Sequence, residues 1–73
     1  MITYHAVEEE GTIDGLETYR TFGIVALNER GKELFHVSDV STNGDWVKKL
    51  AVDCTDGELV PEQLYDVIRD RLD

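Results

Sequence analysis

The side chains able to do chemistry in this sequence are His5, His36, Cys54 and a large set of carboxylates. Two histidines can ligate a metal or share acid–base work, and a cysteine can act as a nucleophile or soft ligand. Neither type stands in a spacing that does so. Cys54 is flanked by Asp53 and Asp56 and falls near the end of a helical stretch. A thiolate needs an electropositive setting, so Cys54 reads as a small buried hydrophobe. The run Asp53-Cys54-Thr55-Asp56-Gly57-Glu58 has the look of a calcium loop. With Gly57 at the turn, however, Val52 and Cys54 would hold the first and third ligand positions, and neither offers a side-chain oxygen. Glu8-Glu9-Glu10 alternates sides of a strand and reads as charge protection of a sheet edge. Asp39, Ser41 and Thr42 read as a turn and capping device, because such side chains bond nearby backbone. There is no glycine-rich phosphate loop, nucleophile elbow or histidine metal motif. No catalytic, cofactor-binding or metal-ligating residue is therefore assigned, and no cofactor is expected.

The chain that must position these residues has 73 residues, with 16 acidic against 7 basic side chains and a formal net charge of −9. That length sets one domain, residues 1–73, with a thin core that favours a surface site over an enclosed one. The charge argues against nucleic acid and anionic membranes, both of which want a basic footprint. It suits a solvated surface and, in its sharper form, an acidic face that meets a basic partner, with mimicry of DNA as the extreme. One cysteine cannot form an intrachain disulfide, and Met-Ile-Thr-Tyr-His carries neither a basic nor an apolar leader pattern. The expectation is a cytoplasmic protein with no membrane partner.

Periodicity divides the chain near Ser41. Before it, β-branched and aromatic residues predict three strands, from about Ile2 to Glu10, Glu17 to Leu27 and Lys32 to Val40. Asp14-Gly15 is a two-residue hairpin signal, and Asn28-Glu29-Arg30-Gly31 a second turn. A tight turn at Asp14-Gly15 sets Val7 opposite Phe22, His5 opposite Ile24 and Glu9 opposite Arg20. A four-residue second loop sets Phe22 opposite Val37, Ile24 opposite Phe35 and Arg20 opposite Asp39. One face then collects Val7, Phe22, Ile24, Phe35 and Val37, and the two histidines fall on opposite faces.

After Ser41, helical spacing takes over. Ser41 or Thr42 caps a first helix over about 42–55, with Asp45 in a capping-box position after Thr42. Val47, Leu50, Ala51 and Cys54 form its stripe. Asp56-Gly57 ends it, and Pro61 opens a second helix over about 61–72, striped by Leu64, Val67, Ile68 and Leu72. The fold class is α+β: a three-stranded antiparallel meander (sheet about 2–40) followed by two amphipathic helices packed on one sheet face. The bare face would carry Tyr4, Val25 and Leu34, with His36 and Tyr19 nearby, and Trp46 on the first helical turn is a further contact. These six residues form the candidate interaction surface.

Phe22-Gly23-Ile24, Asp39-Val40-Ser41-Thr42, Cys54, Leu59-Val60-Pro61, Leu64, Asp66-Val67-Ile68, Asp70 and Leu72 together resemble a family of small bacterial proteins catalogued as a domain of unknown function, number 6514. The chain departs from it at Gln63, where that family has histidine, and at Asn43-Gly44. The resemblance implies a bacterial cytosolic protein of this architecture and carries no activity, substrate or site. The leading expectation is a non-enzymatic interaction or regulatory module, self-associating as a homodimer through the bare face. The rivals are an acidic decoy or inhibitor of a basic protein surface, and a small-molecule or enzymatic site built from His5, His36 or Cys54 at a subunit interface.

Overall fold

The β-branched first half forms β1 (Thr3–Ile13), β2 (Glu17–Leu27) and β3 (Glu33–Ser41), an antiparallel sheet in the order β1-β2-β3. Then come α1 (Gly44–Asp56), a 3-10 turn (Pro61–Gln63) and α2 (Leu64–Leu72), giving the expected α+β architecture. The computed structural model describes residues 1–72, and Asp73 lies outside the described residues. The core joins Tyr4, Ile24, Ala26 and Val40 of the sheet to the α1 stripe Val47, Leu50, Ala51 and Cys54 and to Leu64 and Ile68 of α2. The α1 stripe is the expected one. In α2 the stripe stops at Ile68, because Leu72 is exposed.

The register of β1 differs from expectation by one residue. Asp14 (φ 53) and Gly15 (φ 71) do take the positive φ of a tight turn, closed by Leu16 N–H on Ile13 O at 3.1 Å. Leu16 then stays out of the ladder, which begins at Ile13↔Glu17. That slip turns every β1 side chain to the opposite face. Tyr4 and Ala6, paired with Ala26 and Ile24, go under the helices, while His5 and Val7, paired with Val25 and Gly23, go to the bare face. Tyr4 is therefore a core residue, only 3 % exposed, and not part of a docking surface. What selects this register is Tyr4 itself. Its ring is buried, its hydroxyl donates to Leu59 O, and its N–H donates to Thr55 Oγ1 at 2.8 Å, which closes part of the β1 edge.

β3 keeps the expected faces for Phe35 and Val37 but reaches them through two irregularities. The loop holds five residues, closed by Asn28 N–H on Lys32 O at 3.0 Å, so β3 begins at Glu33. Leu34 is an extra residue between Glu33↔Leu27 and Phe35↔Ala26. Between Val37↔Ile24 and Ser41↔Phe22, three β3 residues oppose Gly23 alone, and Asp39 at their centre has φ 54. Pairing with β3 ends at Phe22, so the β1–β2 hairpin continues beyond it as a two-stranded arm with Ile13 and Leu16 exposed at its tip.

The helix caps also move by a residue or two. Asn43, not Ser41 or Thr42, caps α1, its Oδ1 accepting from Trp46 N–H at 3.1 Å. Ser41 instead accepts from Asn43 N–H. At the other end, Leu59 N–H bonds Cys54 O and Glu58 N–H bonds Thr55 O, the paired pattern of a left-handed helix stop. The left-handed residue is Glu58 (φ 52), while Gly57 keeps φ −82. A glycine at position 58 removes the side-chain strain of that conformation. Glu58→Gly is expected to raise stability by about 0.5–1 kcal/mol. A chemical-denaturation midpoint equal to or below that of the parent chain would reject this account of the stop.

Candidate functional site

Strand alternation sends Thr3, His5, Val7 and Glu9 of β1, Thr21, Gly23 and Val25 of β2, and His36 of β3 to the face that no helix covers. His5 and His36 are thus on the same face, each paired with Val25 from opposite sides. The one-residue slip of β1 corrects the expectation that they face apart. It also undoes the expected Glu9–Arg20–Asp39 row: Arg20 pairs with Glu10 and its Nε lies 3.3 Å from Glu8, on the helix side.

The open face is roofed by its own side chains. His36 Nε2 meets Glu9 Oε2 at 2.8 Å, and the other oxygen of Glu9 accepts from Asp39 N–H at 2.9 Å. The Asp39 carboxylate accepts from Thr21 Oγ1 at 2.7 Å and from Tyr19 OH at 3.0 Å. Thr3 Oγ1 and His5 Nε2 lie 2.9 Å apart. Val25 is only 8 % exposed, although no element lies over it.

Two strand glycines make this roof possible. A Cβ at Gly23 would lie 2.7 Å from Glu9 Oε1 and 2.6 Å from Val37 O, and one at Gly11 would overlap the Tyr19 ring. The bulge that gives Asp39 its left-handed backbone lets its N–H reach Glu9 and its carboxylate reach Thr21 and Tyr19 together.

Of the six candidate surface residues, the fold gathers Tyr19, Val25 and His36 on the open face. Tyr4 is in the core. Leu34 sits in its bulge by Met1, Ile2 and the Asn28–Arg30 turn, and Trp46 packs half-buried against the core. Glu9, Thr21, Asp39 and His5 were not in that set. The signal for them was an isolated glycine inside each of two strand patterns, which marks a close approach. Cys54 is buried in the core, and burial pushes its thiol up, in keeping with an inert side chain.

The face carries carboxylates and no lysine or arginine, with His36 set between Glu9 at 2.8 Å and Glu33 at 3.8 Å. Glu9, Glu33 (opposite Leu27) and Asp39 lie on it, and Glu17 (opposite Ile13) continues it along the arm. None of the seven basic residues joins them. Arg20 turns to the helix side, Arg30 and Lys32 occupy the loop, and Lys48, Lys49, Arg69 and Arg71 are on the helices. Hydrogen bonds from Thr21 and Tyr19 hold the Asp39 carboxyl below its usual value. The same bond to Asp39, with some burial, pushes the Tyr19 phenol up.

The lowered Asp39 value means its contribution is complete above the unfolded carboxylate value of about 4 and is lost as pH falls through the folded one. The raised Tyr19 value means its contribution holds below about 10 and is lost as pH rises through the folded value. Asp39→Asn is expected to bring Tyr19 ionisation down toward its ordinary range, read by ultraviolet titration. An unchanged tyrosine titration would contradict the pairing.

No helix among the described residues is long and apolar enough to cross a membrane. Comparison with protein-family models, with curated proteins and with solved structures finds no match for this chain.

Proposed function

We propose that this chain is a small non-enzymatic protein-interaction module of the cytoplasm that binds its partner with the open sheet face. The observation that carries the reading is an asymmetry. The helices cover one side of the sheet, while the other side is bare of any element among the described residues yet held in place by the Glu9–His36 and Asp39–Thr21–Tyr19 hydrogen bonds. Side chains already fixed in position lose little freedom on binding, which favours affinity from a small surface. A chain this short also has little interior for an enclosed reaction site. The reducing compartment is supported by a lone buried thiol.

The reading is tested by photo-cross-linking in cells of the source organism, with a photoreactive residue at position 5 or, as a control, at Val52 on the exposed side of α1. Discrete adducts from position 5 and none from position 52 are expected. Adducts from position 52 alone, or none from either, reject the open face as the binding surface.

A further inference from the structure

We infer that the partner on the open sheet face presents a basic protein surface, with lysine or arginine side chains meeting Glu9, Glu33 and Asp39, and is not a second copy of this chain. The inference rests on the open-face reading and names its occupant. Charge complementarity decides between the two candidates. The acidic residues are spread evenly along the sequence, but the sheet register sorts them, leaving this face with carboxylates and no ammonium or guanidinium group.

Two copies meeting face to face would set Glu9, Glu33 and Asp39 against their own kind, and like charges brought together in an interface cost several-fold to many-fold in affinity. An apolar surface could offset that repulsion, but this face offers only a broken one: Val7 and Leu27 are half-buried and Ile13 stands exposed out on the arm. Val25 is covered by its neighbours, Tyr4 is in the core, and Leu34 is displaced into a bulge. A basic surface gains what a second copy loses. Each carboxylate oxygen of Asp39 and Glu9 is already engaged in one hydrogen bond and keeps one further lone pair for a guanidinium or ammonium, Glu9 with 19 % of its side chain exposed. Glu33, with 58 % of its side chain exposed, and the two histidines complete a polar surface suited to such contacts. The net charge of −9 adds long-range attraction for the same class of partner.

The test uses the full chain and an acetylated octalysine peptide as probe, with binding followed by fluorescence anisotropy at low and at near-physiological salt. Two double variants change the net charge equally. Glu9→Gln with Glu33→Lys alters the open face, and Glu62→Lys with Asp70→Asn alters the helix side. Loss of roughly tenfold in affinity for the face variant, against about threefold or less for the helix-side variant, is the expected result. Should the Glu9→Gln change disturb the fold in a thermal melt, Glu33→Lys alone, at an exposed position, is expected to lose about threefold.

Equal losses in the two double variants would mean diffuse attraction to an acidic protein and overturn the inference. Sedimentation at micromolar concentration gives the second arm. A dimer dissolved by the face variant would overturn the basic partner while leaving the open-face reading intact. Octalysine binding specific to the face, with no cross-link from position 5, would instead remove the open-face reading of the cellular partner.

Discussion

Gly23→Ala is expected to lower stability by about 2–3 kcal/mol, a fall in Tm of roughly 8–24 °C for a chain of this size. The sign runs against propensity, since glycine inside a strand is weaker than alanine and the same change at an open position would stabilise. Here the new Cβ meets Val37 O at 2.6 Å and Glu9 Oε1 at 2.7 Å. The carboxylate can swing away, but only by leaving Asp39 N–H and His36. The carbonyl belongs to the backbone of β3 beside a bulge and cannot move without shifting the strand. Gly11→Ala is the internal control. Its Cβ would overlap the Tyr19 ring, a half-buried side chain at the edge of the face whose only side-chain hydrogen bond is the one to Asp39. That change should break the Tyr19–Asp39 bond and cost under about 1 kcal/mol. Thermal melts of the two variants settle the matter, and a Gly23→Ala protein as stable as the parent would mean that β3 is not held where the site requires it.

The contrast between these glycines shows which parts of the molecule can be read from sequence. The stripe Val47, Leu50, Ala51 and Cys54 is a local pattern, and the fold buries all four of them. Phe22, Ile24 and Val37 are legible for the same reason, since alternation within a strand needs no knowledge of its neighbour. The pairing of β1 is not local. It depends on whether Leu16 enters the ladder, and nothing in Asp14-Gly15 decides that, because the turn forms with the expected backbone in either case. Tyr4 and Ala6 on one side of β1, and His5 and Val7 on the other, give two faces of similar apolar character, so pattern alone favours neither. The decision comes from a contact 55 residues away, Tyr4 OH on Leu59 O. The site inherits the same uncertainty. Its set of carboxylates without lysine or arginine exists only after the register is set, because one residue of slip would carry Glu9 to the helix side and bring Glu8 and Glu10 out. The Asp39 bulge was equally hidden, although aspartate is among the few residues that tolerate a left-handed backbone.

That long-range contact makes Tyr4 the position where packing and hydrogen bonding can be separated. Tyr4→Phe keeps the ring among Ile24, Ala26 and the α1 stripe and removes only the hydroxyl. Leu59 O then loses its tyrosine donor inside a half-buried connection, at an expected cost of about 1–2 kcal/mol. Burial, with the nearby Cys54 and Glu62, pushes the Tyr4 phenol up. A raised folded value contributes stability that is present below about 10 and lost as pH rises through it. The phenylalanine variant should therefore lack this part of the alkaline loss. Tyr4→Ala removes the ring as well, leaving a cavity where β1, α1 and the Leu59 connection converge, and is expected to cost about 3–5 kcal/mol. Against a total of roughly 4–11 kcal/mol for a chain of this length, that removes between about a quarter of the stability and all of it. Urea unfolding of the two variants gives both numbers. If Tyr4→Ala proved as mild as Tyr4→Phe, the ring would not be in the core, β1 would be free to take the alternative register, and the acidic open face would no longer follow from the fold.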